Sequence, residues 1–202
     1  MNVISRIGNH VKAPGTILEC TFANLPSASA MYGEKVIVTD YNVWFRSNGT
    51  TWDAMSPIPL GRSAGRVTTT SNGVAADATL ISVTVPAGLM LVNSYIDVEN
   101  LFRMTNSVGV KSIKVKVGGS TMYSFSGASS QSLNQSYRIR NDNSLSAQVG
   151  YVSSATSFNG STSDVIAAAI NTANSFTVEV TAAPAVITEF VTLVHSEIVL
   201  YR

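Results

Sequence analysis

The residues of this chain that could do chemistry are few and scattered. Asp97 and Glu99 lie two apart in an alternating run, so a strand would put both carboxylates on one face, the pairing glycoside hydrolysis uses. They alternate with apolar residues as any solvated strand face does, and acid–base work is the minor reading. His10 and His195 are far apart in sequence, and His195 sits among Val194, Ser196 and Glu197 as a structural residue would. Cys20 is the sole cysteine, which excludes an internal disulfide and a multi-cysteine metal site; a small buried apolar role is expected. No nucleophile elbow, Walker loop, HExxH helix or Cys/His cluster occurs. Gly15, Gly118-Gly119 and Gly127 precede no helix and read as turn glycines rather than phosphate cradles. The chain is expected to be no enzyme and to need no cofactor and no metal.

Recognition is the chemistry that remains. Arg138 and Arg140 flank Ile139 with Tyr137 beside them, a small basic and aromatic patch suited to an anionic glycan. Two uncharged stretches, 126–136 (SGASSQSLNQS) and 153–163 (SSATSFNGSTS), are rich in hydroxyls and amides that hydrogen-bond sugars. Tyr151 and Phe158 would supply stacking surfaces beside them. The candidate contact residues are therefore Tyr137, Arg138, Arg140, Tyr151 and Phe158.

The elements that must position these residues are strands. Ile113, Val115 and Val117 alternate with Ser112, Lys114 and Lys116; Phe176, Val178 and Val180 alternate with Thr177, Glu179 and Thr181. Ile81, Val83 and Val85 form another such face, as do Val92, Ile96, Val98, Phe102 and Met104 within a long strand over 90–104. The last segment, 187–201, is apolar on both sides, which predicts a strand buried on both faces. Only 164–171 (DVIAAAIN) reads as a helical turn, with Asp164 as its N-cap. About eight such strands predict an all-β chain built as an antiparallel jelly-roll-like sandwich.

Ahead of them stands a hairpin signal. Asn48-Gly49 between VWFRS and TTWDA predicts a two-residue type I′ turn, which places Phe45 opposite Trp52 and Val43 opposite Ala54. Trp44, Arg46 and Asp53 would share the other face. Before it, residues 1–30 read as a mostly irregular arm with one strand near 16–22. The small-residue run 61–65 (GRSAG) marks the expected boundary, giving an N-terminal arm and hairpin module over 1–62 and a C-terminal sandwich over 63–202.

Composition narrows the partners. Only 12% of residues are charged and the net charge is +1, which gives nucleic acid or an anionic membrane no electrostatic foothold. No run reaches the ~18 apolar residues of a membrane-spanning helix. No secretory leader is visible, so synthesis and folding in a cytoplasm are expected.

Two stretches resemble bacteriophage proteins. Residues 23–60, with their LPSA opening, VTD strand end and WFRSNGTTW core, resemble a module frequent in tail fibre and minor structural proteins. Residues 79–202 resemble the β-domain that follows it, through VTVPAG at 83–88, KSIKVKVGG at 111–119 and the closing IVLYR. The resemblance implies a virion component made in the host cytoplasm: a homotrimeric fibre or spike appendage. It would be held to other virion proteins by its N-terminal region and would bind a host-surface glycan or protein. A decoration or connector protein without a receptor is the second expectation, and a small glycan hydrolase or esterase the third. Nothing catalytic is carried over, and the long β-helix of polysaccharide-degrading tailspikes is absent from the sequence.

Overall fold

The structure, a computed structural model, describes residues 5–7, 10–12, 17–71, 76–152 and 166–202. The chain divides into two compact units, Met1–Ile58 with Tyr201–Arg202, and Pro59–Leu200. Both are built of strands, and the fold is all-β.

In the first unit, β1 (Ser5–Ile7) and β2 (His10–Lys12) pair with each other. A four-stranded sheet follows in the order β3 (Leu18–Cys20), β4 (Lys35–Val38), β5 (Val43–Ser47), β6 (Trp52–Ala54). β3 runs parallel to β4, so the chain must cross back between them, and two 3-10 turns, Phe22–Asn24 and Ala28–Met31, do this. The crossover is tied down from the hairpin: Ser47 Oγ donates to the Ala28 carbonyl at 2.6 Å, and the Trp52 indole N–H to the Pro26 carbonyl at 2.7 Å. Met31, Val36, Val38, Val43, Phe45 and Trp52 form the buried face.

The hairpin differs from expectation in its register. Ser47 lies opposite Trp52, Arg46 opposite Asp53 and Phe45 opposite Ala54, so the loop has four residues, 48–51, rather than two. The cause is the Asn48 side chain. Its Oδ1 accepts the N–H groups of Thr50 and Thr51, both at 2.8 Å, and its Nδ2 donates to Thr51 Oγ1 and Asp53 Oδ2. An asparagine that satisfies the loop backbone itself makes the wider loop as good as the tight turn. Because the loop grew by two residues, every side chain kept its face. Phe45 and Trp52 are both buried, as diagonal neighbours, while Trp44, Arg46 and Asp53 face out.

The second unit begins with β7 (Ile58–Arg62) and β8 (Val67–Thr70) and continues with β9 (Ala78–Val85), β10 (Tyr95–Met104), β11 (Lys111–Val117) and β12 (Ser120–Gly127). β13 (Ser132–Asn141), β14 (Gln148–Val152), β15 (Ile166–Ala168), β16 (Phe176–Pro184) and β17 (Phe190–Tyr201) complete it. The larger sheet has the order β15-β14-β13-β10-β17-β7, with β8 also on β17; the smaller is β12-β11-β16-β9. The two face each other as a jelly-roll-like sandwich around Ile96, Val98, Phe102, Ile113, Val115, Val178, Val180, Leu193 and Ile198. Gly118 and Gly119, both at positive φ, close β11 and β12 with a two-residue turn that pairs Val117 with Ser120.

Several expected details shift, each for a local reason. β10 starts at Tyr95 rather than near Met90, because Asn93 takes a left-handed conformation (φ 64°) and turns the chain, leaving Val92 exposed. A register slip opposite Val180–Thr181 turns Leu80 inward, so Leu80 is buried and Ile81 and Val83 only half-buried. Residues 166–168 of the expected helical turn form the edge strand β15, paired with β14; Asp164 lies outside the described residues. Gly61 lies inside β7 rather than in a joint, and a Cβ there would stand 2.4 Å from Val83 Cγ2. In β17 the buried set changes parity between Leu193 and Ser196, which leaves Val194 and Val199 half-buried and His195 exposed. Cys20 is half-buried, with its thiol pushed up by burial and then by Asp40.

One buried pair has no counterpart in the alternation. Lys111 opens β11 and is fully buried; its Nζ donates to the Gly109 carbonyl at 2.7 Å and to Glu189 Oε1 at 3.2 Å. The Ser107 hydroxyl bonds both ions.

Candidate functional site

Strand register brings the recognition residues together. Tyr151 on β14 lies opposite Arg138 on β13, and Arg138 lies opposite Asp97 on β10, so the three form a row across the outer face of the larger sheet. Arg140 lies opposite Tyr95 one step along, and Glu99 opposite Ser136. The Arg138 guanidinium donates to both Asp97 oxygens, Nε at 2.6 Å and Nη2 at 2.7 Å, in the bidentate geometry that fixes both partners. It also lies 4.0 Å from the centroid of the Tyr95 ring and bonds the Tyr151 hydroxyl. The Asp97 bond above all holds the guanidinium above its ordinary value, against the opposing effect of burial, so it stays charged. Arg140 is exposed, with one long bond of 3.4 Å to Asn93 Oδ1.

Three of the five residues read from sequence, Arg138, Arg140 and Tyr151, lie on this face, and Tyr137 does not. Tyr137 is buried on the opposite face, only 2% exposed, with its ring 5.2 Å from Tyr123 and its hydroxyl donating to the Met122 carbonyl of the other sheet. Burial, and then Tyr123, push that phenol up, so it stays protonated as a donor. Strand alternation alone forbids Tyr137 and Arg138 from sharing a face. Phe158, with all of the stretch 153–163, lies outside the described residues. Of the other stretch, 126–136, only 128–131 connects strands; the rest belongs to β12 and β13. The aromatic that sequence reasoning missed is Tyr95. Its signal was the alternation Tyr95, Asp97, Glu99, which places it on the carboxylate face.

Tyr137→Phe is expected to remove a buried hydrogen bond, lowering stability by about 1–2 kcal/mol in urea unfolding.

The geometry also bears on the carboxylates. Asp97 is committed to Arg138 as an ion pair, with a side chain only 16% exposed, while Glu99 is exposed beside it. Both Asp97 oxygens are taken up by the Arg138 guanidinium.

The first unit holds a separate cleft of about 420 Å³ lined by Tyr32, Arg46, Asn48, Asp53 and Met55 among others. Tyr32 is 78% exposed, and its ring covers Gly49, where φ is +90° and a Cβ would stand 2.9 Å from Tyr32 Cδ2. Arg202, of the same unit, lies near the Phe22 and Phe45 rings, and burial brings it down to about 10 against the opposing charge of Asp53.

Among the described residues no cluster of three or more His, Cys, Asp or Glu could hold a metal, and no helix is long and apolar enough to cross a membrane. No family model matches the chain, and no curated protein matches it. Solved structures give slight likenesses. The Gx strain of infectious bursal disease virus shares 10% identity over 78% of this chain and 47% of that one, with a TM-score of 0.23. The VP2 subviral particle of the same virus shares 10% over 80% and 48%, with a TM-score of 0.22. The chain spans about half the length of these solved chains, and a likeness so slight supports no reading of function.

Proposed function

We propose that the chain is a non-enzymatic virion protein of a bacteriophage, a homotrimeric tail fibre or spike-type appendage that attaches to a host-surface glycan. The observation that carries the binding part is the row Tyr151–Arg138–Asp97 with Tyr95 beneath the guanidinium. Sugars are bound by aromatic faces that cover their C–H surfaces and by fixed polar groups that take their hydroxyls. Three adjacent strands hold all of these at fixed spacing, so little ordering has to be done at the moment of binding. The phage part rests on the WFRSNGTTW module and the strands that follow it. The N-terminal unit attaches to the particle, and its cleft at Tyr32 and Arg46 offers a surface for a neighbouring virion protein.

Binding to purified host lipopolysaccharide or to intact cells tests the reading. Tyr151→Ala is expected to weaken binding at least about tenfold, the equivalent of ~1.4 kcal/mol, with no change in melting temperature. A protein that assembles normally but binds neither lipopolysaccharide nor cells would favour the decoration role. Reducing sugar released from the glycan, and lost in Asp97→Asn, would instead favour a hydrolase.

A further inference from the structure

We propose that the cleft between β8, β10 and β17 binds an oxyanion carried on a saccharide, as in a uronic acid or a sugar phosphate. The cleft has a volume of about 290 Å³ and is lined by Arg66, Thr68, Arg103, Phe190, Thr192 and Val194. Two arginines thus line one small space. Neither has a hydrogen-bond or ion-pair partner among the described residues, although Arg103 lies 5.9 Å over the Phe190 ring.

The acids of this unit are accounted for elsewhere. Asp77 holds Lys114 and Lys116, Asp97 holds Arg138, Glu189 holds Lys111, Glu197 holds Arg62, and Glu179 accepts from Ser82. Glu99 shares a strand with Arg103 but lies four residues away, about 13 Å at ~3.3 Å per residue. Asp142 follows the opposite end of β13, since Arg140 pairs with Tyr95 and Ser132 with Arg103. Asp164 lies outside the described residues. Two like charges facing one cleft without a counter-charge are stabilised by an anion between them, and a guanidinium suits carboxylate or phosphate because it can donate two parallel bonds.

The remaining lining selects what carries the anion. Thr68 Oγ1 and Thr192 Oγ1 hydrogen-bond each other at 2.8 Å, so one hydroxyl proton stays free to donate into the cleft. Phe190 and Val194, both half-buried, give an apolar wall on which the C–H face of a pyranose can lie. A bare anion would leave that wall unused. The choice of a saccharide rests on the attachment reading; the oxyanion rests on the arginines alone.

Calorimetric titration of the full chain at constant ionic strength tests this with glucuronate, glucose 6-phosphate, inorganic phosphate and glucose. Glucuronate and glucose 6-phosphate are expected to bind saturably with a dissociation constant of about 1 mM, and glucose not at all. Arg66→Gln and Arg103→Gln should each weaken binding about tenfold at unchanged melting temperature. Lys116→Gln, on the other sheet, should have no effect. Inorganic phosphate is expected to bind more weakly than glucose 6-phosphate; equal binding would overturn the saccharide part. Binding that survives Arg66→Gln/Arg103→Gln, or no saturable binding by any acid, would overturn the site. If the acids fail while the protein still binds lipopolysaccharide, this cleft is wrong and the attachment reading stands. If the acids bind here while lipopolysaccharide and cells do not, the reverse holds.

Discussion

Replacing Lys111 with methionine is expected to cost the sandwich on the order of 3 kcal/mol, the low end for breaking a buried ion pair. The low end applies because the pair lies where two loops meet at the end of the sandwich, not at its centre. The side chains of Lys111 and Glu189 are 0% and 3% exposed, so removal of the ammonium leaves a carboxylate almost wholly shielded from water. Its second oxygen, Oε2, already lacks a partner among the described residues. For a unit of this size the loss corresponds to a melting temperature lower by about 6–12 °C. Gly109→Ala should do comparable damage, because a Cβ there would stand 2.3 Å from Glu189 Oε1. The double variant Lys111→Met/Glu189→Gln should lose less than the sum of its parts, since neither ion is then left alone.

The same pair sets an acid limit. The Ser107 hydroxyl first, and Lys111 with it, hold the Glu189 carboxyl below its usual range despite burial, which acts the other way. A carboxyl whose pKa is lower folded than unfolded contributes stability that is complete above the unfolded value of 4.5 and is lost as pH falls through the folded one. Unfolding free energy should therefore fall more steeply below pH 4.5 in the wild type than in Glu189→Gln. Parallel curves would show that the carboxyl is not held as described.

Phe45→Ala carries the second large effect and falls on the other unit. Phe45 is fully buried, and truncating a buried phenylalanine costs about 3–5 kcal/mol. At ~0.05–0.15 kcal/mol per residue, a module of about 60 residues has a total stability of roughly 3–9 kcal/mol. The substitution therefore removes a third of it or more. The measurement is selective, since Trp44 and Trp52 are the only tryptophans in the chain and both belong to this unit. Tryptophan fluorescence should show early unfolding in Phe45→Ala, while far-ultraviolet circular dichroism, dominated by the sandwich strands, retains its later transition. One shared transition for both probes would mean that the units do not unfold separately.

The alternation that makes strands was legible wherever a strand is buried on one face, as in β11 and β16. It misled where a side chain, rather than a periodicity, decides the outcome. Asn48 widened a loop whose Asn-Gly pair signals a tight turn. Asn93 ended a strand that hydrophobicity would have continued. The parallel pairing of β3 with β4 left no trace in a stretch broken by Pro14-Gly15 and Pro26. At the site, the arginines were found because charge stands out in a chain so poor in it. Tyr137 was chosen for being adjacent in sequence, although adjacency on a strand means opposite faces. Tyr95 and Asp97 belong to the same site from about forty residues away, a relation that only the pairing of β10 with β13 supplies. Lys111 was read by its place ahead of an alternating run, where nothing announces burial.

We propose that this protein acts as three copies, an arrangement that would multiply weak glycan contacts into firm attachment. The mass of the purified chain by light scattering tests it most directly. Three times 21.3 kDa, unchanged on dilution, is the predicted result, and a stable species of 21.3 kDa would contradict it.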